Sequence, residues 1–117
     1  MAKTSKPEVR SFPVPRVLRP GEVIESHAVA DGSLIAVTRE RLIVAEGEKT
    51  VLDIPFEELR RIQFDIERNR DATLVIVPEH VTNWPRVVSV PPRNLRETAL
   101  VLARIGERIN DVAEETG

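Results

Sequence analysis

The chain has 117 residues, of which 41% are apolar and 31% charged, a composition typical of one globular domain with its own hydrophobic core. It has no cysteine, which excludes a disulfide framework and thiol chemistry. The formal net charge of −2 argues against general affinity for nucleic acids or anionic membranes. No apolar stretch reaches membrane-spanning length and no apolar signal core follows the N-terminal lysines, so we expect a cytoplasmic protein.

The first twenty residues differ in composition from the rest of the chain. They hold five basic residues against one acidic residue, a net charge of +4, which leaves −6 for the remainder. Prolines are concentrated here and favour extended or polyproline-like backbone. We predict a Pro-rich basic extension over residues 1–18 and one domain over residues 19–117. Within the extension, we expect residues 1–9 to form a loose tail and the apolar side chains of residues 11–18 to lie along the domain.

The domain opens with signals for β-strands. Pro20-Gly21 predicts a turn, and Asp31-Gly32 is the strongest short hairpin signal, because a two-residue turn needs positive φ angles that Asp and Gly tolerate. Segments that alternate or are rich in β-branched residues, bounded by turn residues, predict seven strands. The predicted strands are Glu22–Ala30, Ser33–Thr38, Arg41–Ala45, Thr50–Pro55, Ile62–Glu67, Thr73–Val77 and Arg86–Val90.

The segment Thr38–Arg41 places four polar residues between two apolar runs. As a hairpin loop it would join the second and third strands, in agreement with the strand-length runs on either side. The alternative is one buried helix through Leu34–Ala45. The polar residues would then fill a whole helical turn and interrupt the apolar face on every side, so the pattern favours the hairpin.

The fifth predicted strand, Ile62–Glu67, alternates most cleanly. Alternate residues of a strand share a face, so one face is apolar and predicted to lie against the core, and the other is polar and faces outward. The apolar residues are Ile62, Phe64 and Ile66, and the polar residues are Gln63, Asp65 and Glu67.

After Pro91-Pro92 the period changes to that of a helix. Apolar residues recur at spacings of three and four, which predicts an amphipathic helix from Leu95 to about Glu114. Asn94 is a suitable N-cap and Glu97 occupies the third helical position, so the two form a variant capping box. The predicted apolar stripe comprises Leu95, Ala99, Leu102, Ile105, Ile109 and Val112.

Seven short antiparallel strands followed by one amphipathic helix is the element order of the pleckstrin homology superfold. Three segments also resemble bacterial pleckstrin homology-like domains: "RPGEVI" (Arg19–Ile24), "GSLIAVTRERLIV" (Gly32–Val44) and "IPFEELRRIQF" (Ile54–Phe64). The resemblance covers roughly Arg19 to Val112. It implies a mostly β fold, a seven-stranded antiparallel barrel or sandwich of two nearly orthogonal sheets, with the C-terminal helix closing one open corner. A helix with one apolar stripe is suited to cover such an opening.

The resemblance also implies which ligands to expect. In members of the superfold that bind phosphoinositides, the loop between strands one and two is basic. The corresponding loop here, Ala30–Ser33, is short and acidic, so we expect no phosphoinositide specificity. Members of the phosphotyrosine-binding type accept an extended peptide beside strand five, in the groove with the C-terminal helix. The resemblance therefore implies a module that binds proteins.

The sequence holds little that indicates catalysis. The two histidines, His27 and His80, lie in a strand and a loop, and a metal site needs three or four converging ligands. No serine lies in a nucleophile-elbow pattern, and no Gly-rich phosphate loop is present. We expect no enzyme activity, no metal and no cofactor.

Two features around the strands are candidates for an interaction surface. The mixed charges beside the fifth strand are either a solvated face or a specific protein interface. Trp84, the only tryptophan, lies in the longest internal connection, residues 78–85. It either caps the open end of the barrel or is an exposed anchor, since tryptophan is enriched at binding hot spots. The candidate surface comprises Arg61, Gln63, Asp65, Glu67 and Trp84.

The functional hypothesis is a non-catalytic interaction module that binds a protein, most simply a second copy of itself, by adding a strand to a sheet edge. The alternative is binding of an anionic ligand or a membrane surface through the basic segment Lys3–Arg19, which would be a weak, salt-sensitive peripheral contact. Nucleic acid is not an expected partner, because the chain lacks aromatic positions on which bases could stack.

Overall fold

The computed structural model describes residue 12, residues 17–80 and residues 84–116, with side chains up to residue 110. Every predicted strand and the predicted helix are confirmed, with end points that differ by up to four residues. The elements are β1 (Ser26–Ala30), β2 (Ser33–Val37), β3 (Arg41–Glu46), β4 (Lys49–Pro55), β5 (Leu59–Asp65), β6 (Ala72–Pro78), β7 (Arg86–Val90) and α1 (Leu95–Thr116). Short 3-10 turns at Phe56–Glu58 and Pro92–Asn94 precede β5 and α1.

The strands form two antiparallel sheets, in the orders β1-β2-β3-β4 and β5-β6-β7, and α1 packs mainly against β1. The mostly β fold class with one C-terminal helix is therefore confirmed. Asp31 (φ 49°) and Gly32 (φ 84°) form the two-residue turn between β1 and β2. The polar segment at Thr38 is a hairpin loop, because the Thr38 N–H donates to the Arg41 carbonyl at 3.0 Å. The alternative helix through Leu34–Ala45 is wrong.

The main core lies between the two sheets and α1. Its largest fully buried side chains come from β2, β3, β6, β7 and α1, and aliphatic residues supply nearly all of it, as the scarcity of aromatic residues requires. The side chains of this core with the lowest exposure are Ala28, Ala30, Ile35, Val37, Leu42, Val44, Leu74, Ile76, Val90 and Val101.

The buried face of α1 differs from the predicted stripe. Val101 and Thr98 are fully buried, whereas Ala99 is exposed and Ile109 is 41% exposed. Leu95 and Leu102 are only half-buried at the margin of the core. The buried face of α1 is thus formed by Thr98, Val101 and Ile105 and is displaced from the predicted stripe. A stripe chosen by hydrophobicity alone misses this, because Thr98 counts as polar in the pattern.

The predicted capping box is also wrong. The Asn94 N–H donates to the Pro91 carbonyl at 2.9 Å, within the 3-10 turn that leads into α1. The carboxylate of Glu97 reaches β1 instead, where its Oε2 accepts the N–H of Val29 at 3.4 Å. This contact closes part of the outer edge of β1 with a side chain of α1.

The outer face of the first sheet is covered by the chain preceding β1. Phe12 is 5% exposed and packs against a second apolar cluster on this face, together with the half-buried Val17 and Leu18. As a result, β2 is buried along its whole length. The remaining sheet residues of this cluster are Val29, Leu34, Ala36, Ile43 and Ala45. The domain boundary at residue 18 stays a prediction.

Candidate interaction surface

Strand β5 lies at the edge of the second sheet. It pairs with β6 on one side, and no strand of the described residues pairs with its other side. An edge strand presents a row of backbone N–H and C=O groups that another chain can bind. The seven residues of β5 make this edge about 23 Å long, at the usual rise of about 3.3 Å per residue.

The two faces of β5 differ in character. Ile62 and Phe64 are half-buried and pack against the main core, as predicted. Arg61, Gln63 and Asp65 are exposed on the opposite face. The Gln63 side-chain amide donates to Asp65 Oδ2 at 3.0 Å, and Arg61 makes no hydrogen bond or ion pair with any described residue. The outer face of β5 thus carries an unpaired cation at one end and a carboxylate at the other.

The strand ends two residues earlier than predicted, and this moves two residues out of it. Ile66 is 59% exposed and does not join the core, so its assignment to the apolar face is wrong. Glu67 lies in the turn after β5, where it approaches Arg70 at 3.8 Å with both side chains exposed. The chain reverses direction between β5 and β6, and Asn69 (φ 64°) lies in this connection. The residues from Ile66 onward therefore belong to the connection and not to β5.

Trp84 does not lie beside the polar residues of β5. It precedes β7, which pairs with β6 on the side away from β5, and it is 76% exposed. The interpretation of Trp84 as a cap over the open end is therefore wrong. It stands as a separate exposed aromatic residue near the opposite edge of the second sheet.

A network of buried charges connects three parts of the chain at the β2–β3 hairpin. The guanidinium of Arg41 makes five hydrogen bonds: two to the carboxylate of Glu22 (2.9 and 2.7 Å), two to that of Asp53 (2.8 and 2.7 Å), and one to the Val17 carbonyl (2.6 Å). The Thr38 hydroxyl donates to Glu22 Oε2 at 2.9 Å. Arg41 and Glu22 side chains are each only 7% exposed.

The pKa values of the network reflect this pairing. The hydrogen bonds from Arg41 lower the pKa of Glu22 from 4.5 to about 2, against the opposing effect of burial. The same bonds raise the pKa of Arg41 above its already high value. Both groups therefore remain charged at neutral pH, and the pair is satisfied in the way a buried ion pair requires.

Backbone hydrogen bonds connect the start of β5 to its neighbours. The Phe56 N–H donates to the carbonyl of Glu40, in the loop that carries Thr38, at 3.2 Å. Phe56 is the first residue of the 3-10 turn before β5. On the other side, the Glu79 N–H donates to the Glu58 carbonyl at 2.7 Å. The turn that leads into β5 is thus hydrogen-bonded to the β2–β3 loop and to the residue that follows β6.

One residue of this network has a signal in the sequence. Arg41 directly precedes the apolar run of β3, and such a position is buried only when the charge is paired. Glu22 lies nineteen residues earlier, so local spacing could not identify it as the partner. The contact between them joins two segments that are distant in the sequence.

The remaining candidates do not assemble into a site. His27 is exposed on β1, and the closest carboxylate to His80 is Glu58, at 4.0 Å. Within residues 12, 17–80 and 84–110, no three or more His, Asp or Glu side chains come together in a way that could hold a metal ion. The turn between β1 and β2 carries no basic residue. None of the helices among the described residues combines the length and the apolar character that a membrane span requires.

An open cleft of about 530 Å³ lies beside the buried network, between the segment before β1 and the β2–β3 loop. Its carboxylates are already paired: Glu22 with Arg41, Glu40 with Arg19, and Glu25 with Arg108. The three carboxylates of this cleft are therefore engaged within the chain.

Comparison with known proteins agrees with this architecture. The structure is similar to the crystal structure of a pleckstrin homology domain from Shewanella amazonensis SB2B, with a TM-score of 0.62 and 16% sequence identity, over 82% of this chain and 91% of that chain. No family model matches the chain, and no curated protein matches it in sequence. At this level of identity the likeness concerns the fold, and the chain has the fold of a bacterial pleckstrin homology domain.

Proposed function

We propose that the chain is a non-catalytic binding module that associates with a second copy of itself by backbone pairing along the free edge of β5. The observation that carries this proposal is that β5 is an edge strand of seven residues with an exposed polar face. Strand addition at such an edge requires free backbone groups and a compatible neighbour, and no side-chain motif.

The other side of the molecule supports this choice of edge. At β1, α1 lies against the sheet and Glu97 accepts the N–H of Val29, so a neighbour would have to displace both. The outer face of the first sheet is covered by Phe12, Val17, Leu18 and Ile24. The edge of β5 has neither kind of cover among the described residues.

The character of β5 also favours a copy of itself as the partner. A contact between identical surfaces is self-complementary when it is two-fold symmetric, and closed two-fold dimers are the commonest assemblies of identical chains. Arg61 and Asp65, at either end of the exposed face of β5, have opposite charges that suit an antiparallel copy of the same strand.

Sedimentation of the wild-type chain over a range of concentrations tests the proposal, and we expect reversible association. Consecutive N–H groups of an edge strand point alternately toward the sheet and away from it. Of Gln63→Pro and Phe64→Pro, one therefore removes an edge-facing donor and the other a donor to β6. We expect one variant to fold and lose association, and the other to lose its fold in thermal melting.

A wild-type chain that stays monomeric at the highest soluble concentration contradicts self-pairing, and an external extended peptide would then be the partner to seek. If both single proline variants fold and still associate, the contact does not lie at β5.

A further inference from the structure

We infer that two copies pair antiparallel about a two-fold axis at Gln63, with Arg61 of each copy opposite Asp65 of the other. This inference rests on the proposed self-association and specifies its register. It follows from the order of side chains along Arg61–Asp65, which reads cation, apolar, amide, apolar, carboxylate.

On the exposed face, a two-fold axis at Gln63 makes every position complementary. Arg61 lies opposite Asp65 of the second copy, and Asp65 opposite its Arg61. Residues directly opposite each other in antiparallel strands have Cβ atoms about 5 Å apart, close enough for opposite charges to interact. Arg61 has no partner among the described residues, so the contact supplies one.

The central position is also compatible with a copy of itself. Gln63 would face Gln63 of the second copy, and a side-chain amide both donates and accepts hydrogen bonds. In the single chain the Gln63 amide already donates to Asp65, which holds both side chains on the exposed face. The amide and the carboxylate are therefore presented together to the incoming strand.

The opposite face carries the apolar part of the contact. The same register places Ile62 opposite Phe64 of the second copy, twice by symmetry. Both side chains are only half-buried although they pack against the core. An apolar neighbour across the edge covers the part that remains exposed, and aromatic residues pair favourably with β-branched ones across strands.

Other registers fit less well. An axis at Ile62 would set Arg60 opposite Phe64 and Leu59 opposite Asp65, which pairs charged with apolar residues. An axis at Phe64 would set Arg61 opposite Glu67, which lies beyond the end of β5 and is already near Arg70. The axis at Gln63 keeps all five positions within the strand.

The contact is small, since about five residues of each copy pair, so we expect association only at high protein concentration. The test uses two full-length variants, Arg61→Asp and Asp65→Arg. Each variant alone opposes like charges twice across the axis, and its dissociation constant should rise about tenfold or more. An equimolar mixture restores both opposite-charge pairs, so a heterodimer should form with a dissociation constant close to that of the wild type.

Exposed charge reversals away from β5, Arg96→Asp and Glu48→Arg, are matched controls and should leave the dissociation constant unchanged. Restoration in the mixture excludes misfolding as the cause of the losses, because neither variant could rescue an unfolded partner. Restoration with Glu67→Arg in place of Asp65→Arg overturns the register and leaves self-pairing at β5 intact. Variants that associate like the wild type also overturn the register, and a monomeric wild type overturns both the register and the proposed function.

Discussion

Arg41 and Glu22 form a two-point ion pair in the interior, with Nε and Nη2 of the arginine at 2.9 and 2.7 Å from the two carboxylate oxygens of the glutamate. The pair joins the segment before β1 to the start of β3, and Asp53 on β4 neutralises the remaining side of the guanidinium. It is the point at which the chain before the sheets is joined to the first sheet.

Removal of Arg41 should destabilise the domain strongly. Arg41→Met leaves the buried carboxylate of Glu22 without its cation, and breaking a buried pair in this way costs about 3–5 kcal/mol in the free energy of unfolding. Arg19→Met is the control, since the Arg19–Glu40 pair is 65% exposed on both sides and should contribute less than about 1 kcal/mol. Urea titrations measure both values, and equal stabilities of the two variants would contradict the buried role of Arg41.

Stability should depend on pH through Glu22. Its pKa is about 2 in the folded chain and 4.5 when unperturbed, so the folded state favours the charged form. The stabilisation is fully present above pH 4.5 and is lost as the pH falls toward about 2. Glu22→Gln lacks this titration. The difference in unfolding free energy between wild type and Glu22→Gln should therefore shrink as the pH is lowered from 6 to 2, and a difference independent of pH would be the contrary result.

Aspartate substitutions in α1 should lower the melting temperature according to how deeply each position is buried. Val101→Asp places a charge in the fully buried part of α1 and should abolish the cooperative melt. Leu102→Asp lies at the margin and should lower the melting temperature by less. Leu100→Asp, at a side chain that is 63% exposed, should have little effect. Equal loss for Val101→Asp and Leu100→Asp would show that α1 packs in another orientation.

The chain should not distinguish phosphoinositide isomers. The β1–β2 turn is the two-residue Asp31-Gly32 turn, which has no basic side chain to hold phosphates. Sedimentation with vesicles of equal charge that contain different isomers should give equal bound fractions. Any binding should fall with added salt and on deletion of residues 1–10, because this deletion removes three of the five basic residues of the N-terminal segment. Isomer-specific binding by the deletion variant would contradict this expectation.

Most of the fold followed from the sequence, because strand period, turn residues and helix period are local signals. The Asp31-Gly32 turn and the hairpin at Thr38 are of this kind. The contacts of Glu22 with Arg41 and of Val29 with Glu97 are not, since they join residues 19 and 68 positions apart. Local signals predict only part of the candidate surface. Alternation placed Gln63 and Asp65 on an exposed face, but the end of β5 before Ile66 depends on its pairing with β6.

The contact between Glu97 and Val29 makes hydrogen exchange of one backbone amide dependent on the docking of α1. The Val29 amide points away from β2 and has its acceptor on α1, so its protection from hydrogen exchange depends on the docking of the helix. The Ala28 amide, by contrast, lies on the side of β1 that faces β2, and its exchange requires opening of the sheet itself. Exchange rates at these two neighbouring residues therefore distinguish undocking of the helix from unfolding of the sheet in one experiment.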